Sequence, residues 1–155
     1  MDRTPDVLLI VDQREQTPLP FTKLKTIPGT LATGDYSIAG LEHLFSVERK
    51  TINDLVNSCI GEDRARFERE LHRLRGFRFK RLLIVGTEDD IRQGDYHSSA
   101  NPKAVLGTIA AFEIRYEVPV VFSPTPADAG RLIERWAIYF SREVVLNATH
   151  LRCAG

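Results

Sequence analysis

Gly34-Asp35-Tyr36-Ser37-Ile38 and, after the turn residues Ala39-Gly40, Leu44-Phe45-Ser46-Val47-Glu48-Arg49-Lys50 form the stretch that decides the fold. Both runs are rich in strand formers and a glycine lies between them, which predicts a β-hairpin over 35–50. Side chains alternate between the two faces of a strand. Phe45, Val47 and Arg49 therefore point one way, and Ser46, Glu48 and Lys50 the other. Glu48 and Lys50 share a face only in this register, and a slip of one residue loses the pairing.

The flanking segments alternate in type. Val7 to Val11 is a continuous apolar run, as expected of a strand covered on both faces, and it leads into Asp12-Gln13-Arg14-Glu15. Pro18, Pro20 and Pro28 mark a loop-rich connection. Thr51 is placed to cap a short helix ending near Ile60, and Gly61 breaks it. A second helix is predicted from Asp63 to about Arg75, followed by a buried strand over Leu82–Val85. A polar loop runs from about Thr87 to Ala100. Asn101-Pro102 then supplies a cap and a first-turn proline for a helix through about Glu113. A third buried strand is predicted over Val118–Phe122, with Pro119 tolerated near its start. The last helix opens at Thr125-Pro126 and reaches about Arg142. Residues 147–155 lack periodicity and read as a flexible tail after a single domain over 1–146. The pattern predicts an α/β fold, a mixed central sheet mainly parallel in its second half and flanked by helices on both faces.

Bulk properties narrow the function. A chain of 155 residues supports one core, and its 43% apolar and 27% charged content is that of a globular domain. Formal net charge is zero, so a polyanion must be met by a local patch. Arg64, Arg66, Arg69, Arg73, Arg75, Arg78, Lys80 and Arg81 supply one candidate, readable either as a nucleic-acid surface or as a solvated amphipathic helix with i,i+4 ion pairs. Cys59 and Cys153 lie in no metal-binding spacing and read as free thiols. Met1 to Asp6 is polar, the apolar run after it is too short for a signal peptide, and no stretch is long enough to span a membrane. An intracellular protein is expected. With no glycine-rich phosphate loop, an enzyme of small phosphorylated ligands ranks last.

Asp35 and Glu48 converge if the hairpin closes as read. Hydrolysis of a phosphodiester needs charge neutralisation, an activated water and in-line positioning. Mg²⁺ typically takes one or two carboxylates plus waters and substrate oxygens. Lys50 shares the face of Glu48 and is placed to hold the attacking water. Asp12, at a strand end, is placed to complete the carboxylate cluster, and Glu15 is a weaker candidate. Each residue also has a structural reading. Asp35 reads equally as a turn residue, and Glu48 with Lys50 as a cross-strand charge pair. Thr51-x-x-Asp54 fits a capping box.

The combination Gly34-Asp35, then Glu48-Arg49-Lys50-x-x-x-Asp54, resembles the signature of the XPF family of structure-specific endonucleases, a restriction-endonuclease-like group. The resemblance extends from Val11-Asp12-Gln13-Arg14-Glu15, which matches the family's Asp-x-Arg-Glu, to about residue 142. It implies metal ligation by Asp35 and Glu48, with Asp12 a further acidic member of the site. It makes Arg49 and Lys50 essential to cleavage and includes Asp54 in the motif. It also implies Mg²⁺ or Mn²⁺, branched DNA such as flaps and forks as substrate, and a part in DNA repair and recombination. Arg14, Arg64, Arg66 and Arg69 become candidate DNA contacts.

Two features depart from the family. Glu70 stands where it often has Gln, and 155 residues are too few to hold the tandem helix-hairpin-helix domain its members usually carry as well, so a DNA-binding module that cuts only with a partner is the alternative expectation. A second Gly-Asp-Tyr, at 94–96, lacks a following Glu-x-Lys and reads as a turn. Ala129, Leu132, Ile133, Trp136, Ala137 and Phe140 form an apolar stripe on the last helix. The resemblance makes that region the expected homodimer contact.

Overall fold

The computed structural model describes residues 6–154, with side chains through Leu151. Six strands form one mixed sheet in the order β2-β1-β3-β4-β5-β6. They are β1 (Leu8–Asp12), β2 (Lys25–Gly29), β3 (Tyr36–Ile38), β4 (Phe45–Thr51), β5 (Phe79–Val85) and β6 (Val120–Ser123). Strand β3 is antiparallel to β1 and β4, whereas β4, β5 and β6 run parallel. The C-terminal ends of β1, β4, β5 and β6 therefore share one sheet edge with the start of β3.

Helices cover both faces. On one lie α1 (Ile52–Ile60), α2 (Arg64–Leu74) and α4 (Pro102–Tyr116). Their apolar sides bury Leu55, Phe67, Leu71 and Phe112 against Leu82 and Ile84. On the other face, α5 (Pro126–Ala154) sets Ala129, Ile133 and Ala137 against Tyr36, Phe45, Val47 and Leu83. Successive residues of β5 thus feed opposite cores, which is why this strand reads as a continuous apolar run. Cys59 is a buried free thiol whose pKa burial pushes up to about 12. Cys153 and residues 1–5 lie outside the described side chains.

Four local expectations need correction. β2 falls within the segment read as loop, because an exposed edge strand carrying Pro28 has neither apolar alternation nor need of every ladder bond. Inside the polar segment 87–100, a one-turn helix α3 (Glu88–Arg92) forms on a capping box between Thr87 and Asp90, burying only Ile91. β6 starts at Val120 rather than Val118, Pro119 contributing only its carbonyl to the Leu82 N–H. The expected tail from 147 is instead the last turns of α5, which continue through Ala154. No proline or glycine follows Gly130 before residue 155, so nothing stops the backbone ladder, although residues 147–151 are exposed. Among the described residues no helix is long and apolar enough to cross a membrane.

Candidate active site

The hairpin register builds the centre of the site. Tyr36 pairs with Val47 in the antiparallel β3–β4 ladder. Asp35 lies just before β3, and together with Glu48 of β4 it lines one cavity on the face turned toward α2. Asp35 donates its own N–H to the Val47 carbonyl at 2.8 Å, and its Oδ2 accepts the Arg49 N–H at 2.8 Å. Gly34 makes the approach possible. It adopts φ +84°, and a Cβ there would lie 2.1 Å from Ser46 Oγ, a clash in a conformation that already favours glycine.

A cavity of about 230 Å³ opens over this pair, lined by Arg14, Ala32, Thr33, Gly34, Asp35, Glu48, Glu70 and Arg73. Burial pushes the Asp35 carboxyl up to about 6, against the pull of the Arg49 N–H. Burial, then the charges of Asp35 and Glu70, push that of Glu48 up to about 8. Two carboxylates that resist joint ionisation gain by sharing a cation. They are hard oxygen donors, and Glu48 accepts no hydrogen bond among the described residues. The donor set suits Mg²⁺ or Mn²⁺ held by two carboxylates and completed from solvent or substrate. Among the described residues no three His, Cys, Asp or Glu side chains converge closely enough to enclose an ion alone.

Lys50 extends from the same face as Glu48. Its Nζ lies 4.9 Å from the centroid of the Phe67 ring and 4.0 Å from Glu70 Oε2. That Glu70 oxygen is buried and has no hydrogen-bond partner. Glu70 therefore belongs to the site, a membership the sequence pattern hid. It follows Phe67 by three residues, beside the apolar side of α2, and only the docking of that helix turns it inward.

On the opposite face, Arg49 Nη1 pairs with Glu15 Oε2 at 3.1 Å and donates to the Thr17 carbonyl at 2.8 Å. The Tyr36 hydroxyl also donates to Glu15 Oε2 and accepts the Leu19 N–H. Glu15 thus ties the 13–19 loop to both hairpin strands from behind the carboxylate pair.

Asp12 is placed differently from the expectation. Its carboxylate is 2% exposed, and all its acceptor positions are occupied. Oδ1 accepts Arg14 N and Nε at 2.9 and 2.7 Å; Oδ2 accepts Arg14 Nη2 at 3.1 Å and the Leu31 N–H at 2.8 Å. These bonds, the Arg14 side chain foremost, pull its pKa down to about 2. Asp12 acts here as the brace that aims Arg14 at the cavity, and it lines the neighbouring cleft rather than this one. Asp54 also stands apart. Thr51 Oγ1 accepts its N–H at 3.2 Å, but the reciprocal half of a capping box does not form, and its exposed carboxylate does not line the cavity.

The fold divides the basic cluster. Arg64 donates to the Cys59 carbonyl at 3.2 Å and lies 5.1 Å from the Phe112 ring, packed between α2 and α4. These contacts anchor its guanidinium, though the side chain stays 45% exposed. Arg78 and Arg81 lie against Phe140, Phe79 and Trp136 on the other face. Arg75 pairs with Glu117 at 3.4 Å and Lys80 lies in β5, whereas Arg66, Arg69 and Arg73 are spaced i, i+3, i+7 along one exposed side of α2 that ends at the cavity, with Arg66 also paired to Asp63 at 3.3 Å. The ion pairs of the solvated-helix reading are present as well, Arg64 with Glu68 among them.

Comparison with known proteins gives concordant results. The family model of the ERCC4 domain matches residues 11–135. The 3'-flap repair endonuclease Xpf of Saccharolobus solfataricus is 32% identical over 96 residues, which are 61% of this chain and 38% of that protein. The solved structure of XPF from Aeropyrum pernix superposes with a TM-score of 0.66 at 22% identity, covering 84% of this chain and 59% of that one. Its complex with DNA gives 0.67 at 21%, covering 88% and 66%. The sheet and its helices are thus those of the XPF nuclease domain, and the chain spans well under two thirds of the length of the curated relative.

Proposed function

The chain belongs to the ERCC4-domain family, and from that membership we propose that it is a divalent-metal-dependent endonuclease, hydrolysing phosphodiester bonds in DNA at branched structures such as flaps and forks. The single observation that carries the reading is the cavity that Asp35 and Glu48 line together with Glu70, beside which Lys50 lies. When bound, a divalent ion supplies charge neutralisation at the phosphate and acidifies water. Asp35 and Glu48 would hold it through their carboxylate oxygens. The Arg49 N–H keeps Asp35 oriented, and the Glu15 contacts hold the Arg49 guanidinium away from the carboxylates. Lys50, steadied between Phe67 and Glu70, orients the water that attacks phosphorus as the ester oxygen departs, and its charge offsets what develops on the phosphate. Arg14 and Arg73 face the same cavity and meet the phosphates beside the scissile one.

The test uses a labelled fork or flap, incubated with the purified chain in Mg²⁺ or Mn²⁺. Wild type is expected to incise it, and Asp35→Asn and Lys50→Ala to lose at least about 100-fold in rate. Equal residual nicking by all three proteins removes the reading. Salt-dependent binding without turnover in any divalent ion supports instead a DNA-binding module that needs a partner to cut.

A further inference from the structure

The segment that follows the 13–19 loop is clamped to α5 at two points one turn apart. Gly130 lets the chain approach so closely that a Cβ there would lie 2.0 Å from the Pro20 carbonyl oxygen. Glu134, 1% exposed, accepts three consecutive backbone N–H groups, from Thr22, Lys23 and Leu24, at 3.3, 2.6 and 2.7 Å. A buried carboxylate is tolerated when backbone donors surround it in this way. The result is that the backbone of Lys23 is fixed against the first turns of α5.

Between them opens a cleft of about 370 Å³, lined by Lys23, Ser123, Asp128, Arg131, Leu132 and Arg135. Asp128 caps the helix with Thr125 and pairs with Arg131. Among the described residues neither Lys23 nor Arg135 has an ion-pair partner, so the residues lining the cleft carry two positive charges in excess, with the buried Glu134 carboxylate behind them offsetting one. In a protein whose net charge is zero, such a local concentration of cations in a concave site focuses the field on an anion.

The sheet relates this cleft to the carboxylate pair. Thr51, next to Lys50, is level with Val85, and Val85 with Ser123. Two strand spacings are roughly 10 Å, which puts Ser123 at the same sheet edge as the end of the strand that carries Glu48 and Lys50. We propose that the Lys23–Arg131–Arg135 cleft is a second phosphate-binding subsite, which holds the nucleic-acid backbone away from the scissile bond as the strand crosses the sheet edge. It rests on the nuclease reading, and it adds to the arginines of α2 a contact on the opposite face.

The experiment is fluorescence-anisotropy titration of a labelled fork across a KCl series without divalent ion. It compares wild type, Lys23→Ala/Arg135→Ala, and a control, Arg92→Ala/Arg115→Ala, that removes two cations from α3 and α4. The cleft variant is expected to bind at least about fivefold more weakly and to lower the magnitude of the log K against log[salt] slope by about 1 to 2. The control is expected to match wild type. Mn²⁺ affinity at Asp35 and Glu48, read by electron paramagnetic resonance, is expected to be the same in all three. Cleft and wild-type proteins that bind alike overturn the subsite, as does an equal loss in the control. Wild type that binds no DNA overturns the nuclease reading beneath it.

Discussion

Asp35 and Glu48 retain protons in the folded protein up to about pH 6 and 8, whereas an unfolded chain releases them near pH 4. Between those limits the native state holds the extra protons, so stability falls as pH rises and the full penalty is present above about pH 8. The melting temperature of ion-free wild type is expected to fall by several degrees from pH 5 to 8, and that of Glu48→Gln to fall less. Saturating Mn²⁺ should recover the loss in wild type but not in Asp35→Asn. A flat ion-free profile by scanning calorimetry sinks the argument. Glu70 adds a third carboxylate charge without a hydrogen-bonding partner of its own at Oε2. Glu70→Gln preserves the shape of the side chain while removing that charge. It is expected to weaken Mn²⁺ binding about three- to tenfold and to leave the melting temperature within a few degrees. Unchanged Mn²⁺ affinity in a resonance titration means that Glu70 serves only the packing of Lys50.

The hairpin that carries these residues is entered through Gly34, which directly precedes Asp35 and β3. Gly34→Ala places a side chain at φ +84° and against Ser46 Oγ. It is expected to cost about 2 kcal/mol or more, roughly 4–8 °C in melting temperature. Adding Ser46→Ala removes the clash but not the backbone strain, so the double variant should recover only part of the loss; full recovery in thermal melts counts against the conformational part. This hairpin was legible in the amino-acid sequence because both its signals are local. Period-two alternation sorts Glu48 and Lys50 from Arg49, and a turn glycine fixes where the strands meet. The second Gly-Asp-Tyr was legible by the same test, and Gly94 does sit in a turn, at φ +70°. The elements that stayed hidden have no local signal. β2 is exposed along most of its length and carries a proline, and α3 buries one residue. Asp12 and Glu70 were misjudged or missed for a different reason. What they touch is set by Arg14, Leu31 and the docking of α2, contacts no spacing rule contains.

Across the whole molecule, α5 has two apolar sides with different fates. Ala129, Ile133 and Ala137 are completely buried against the sheet, so that part of the expected dimer stripe is core. Leu132 and Trp136 are only half covered, Tyr139 is 60% exposed and Leu146 47% exposed. These four residues follow the spacing i, i+4, i+7, i+14, which keeps them in one line along the outside of the helix. The line continues onto the turns past Arg142 that project from the body. A row of this kind, exposed at Tyr139 and Leu146 and half covered at Trp136, has the composition of an interface centre. Self-association through it is therefore the expectation carried forward from the family resemblance. By sedimentation velocity between about 5 and 100 µM, wild type is expected to shift toward twice its 17.5 kDa mass. Tyr139→Arg/Leu146→Arg should remain at the monomer mass, and because both side chains are exposed its melting temperature should stay within about 2 °C of the wild-type monomer. Since the variant leaves the Asp35–Glu48 pair untouched, its Mn²⁺ affinity should equal that of wild type. A wild type that sediments as a monomer throughout the range takes pairing out of the reading and leaves the carboxylate site to act in a single chain.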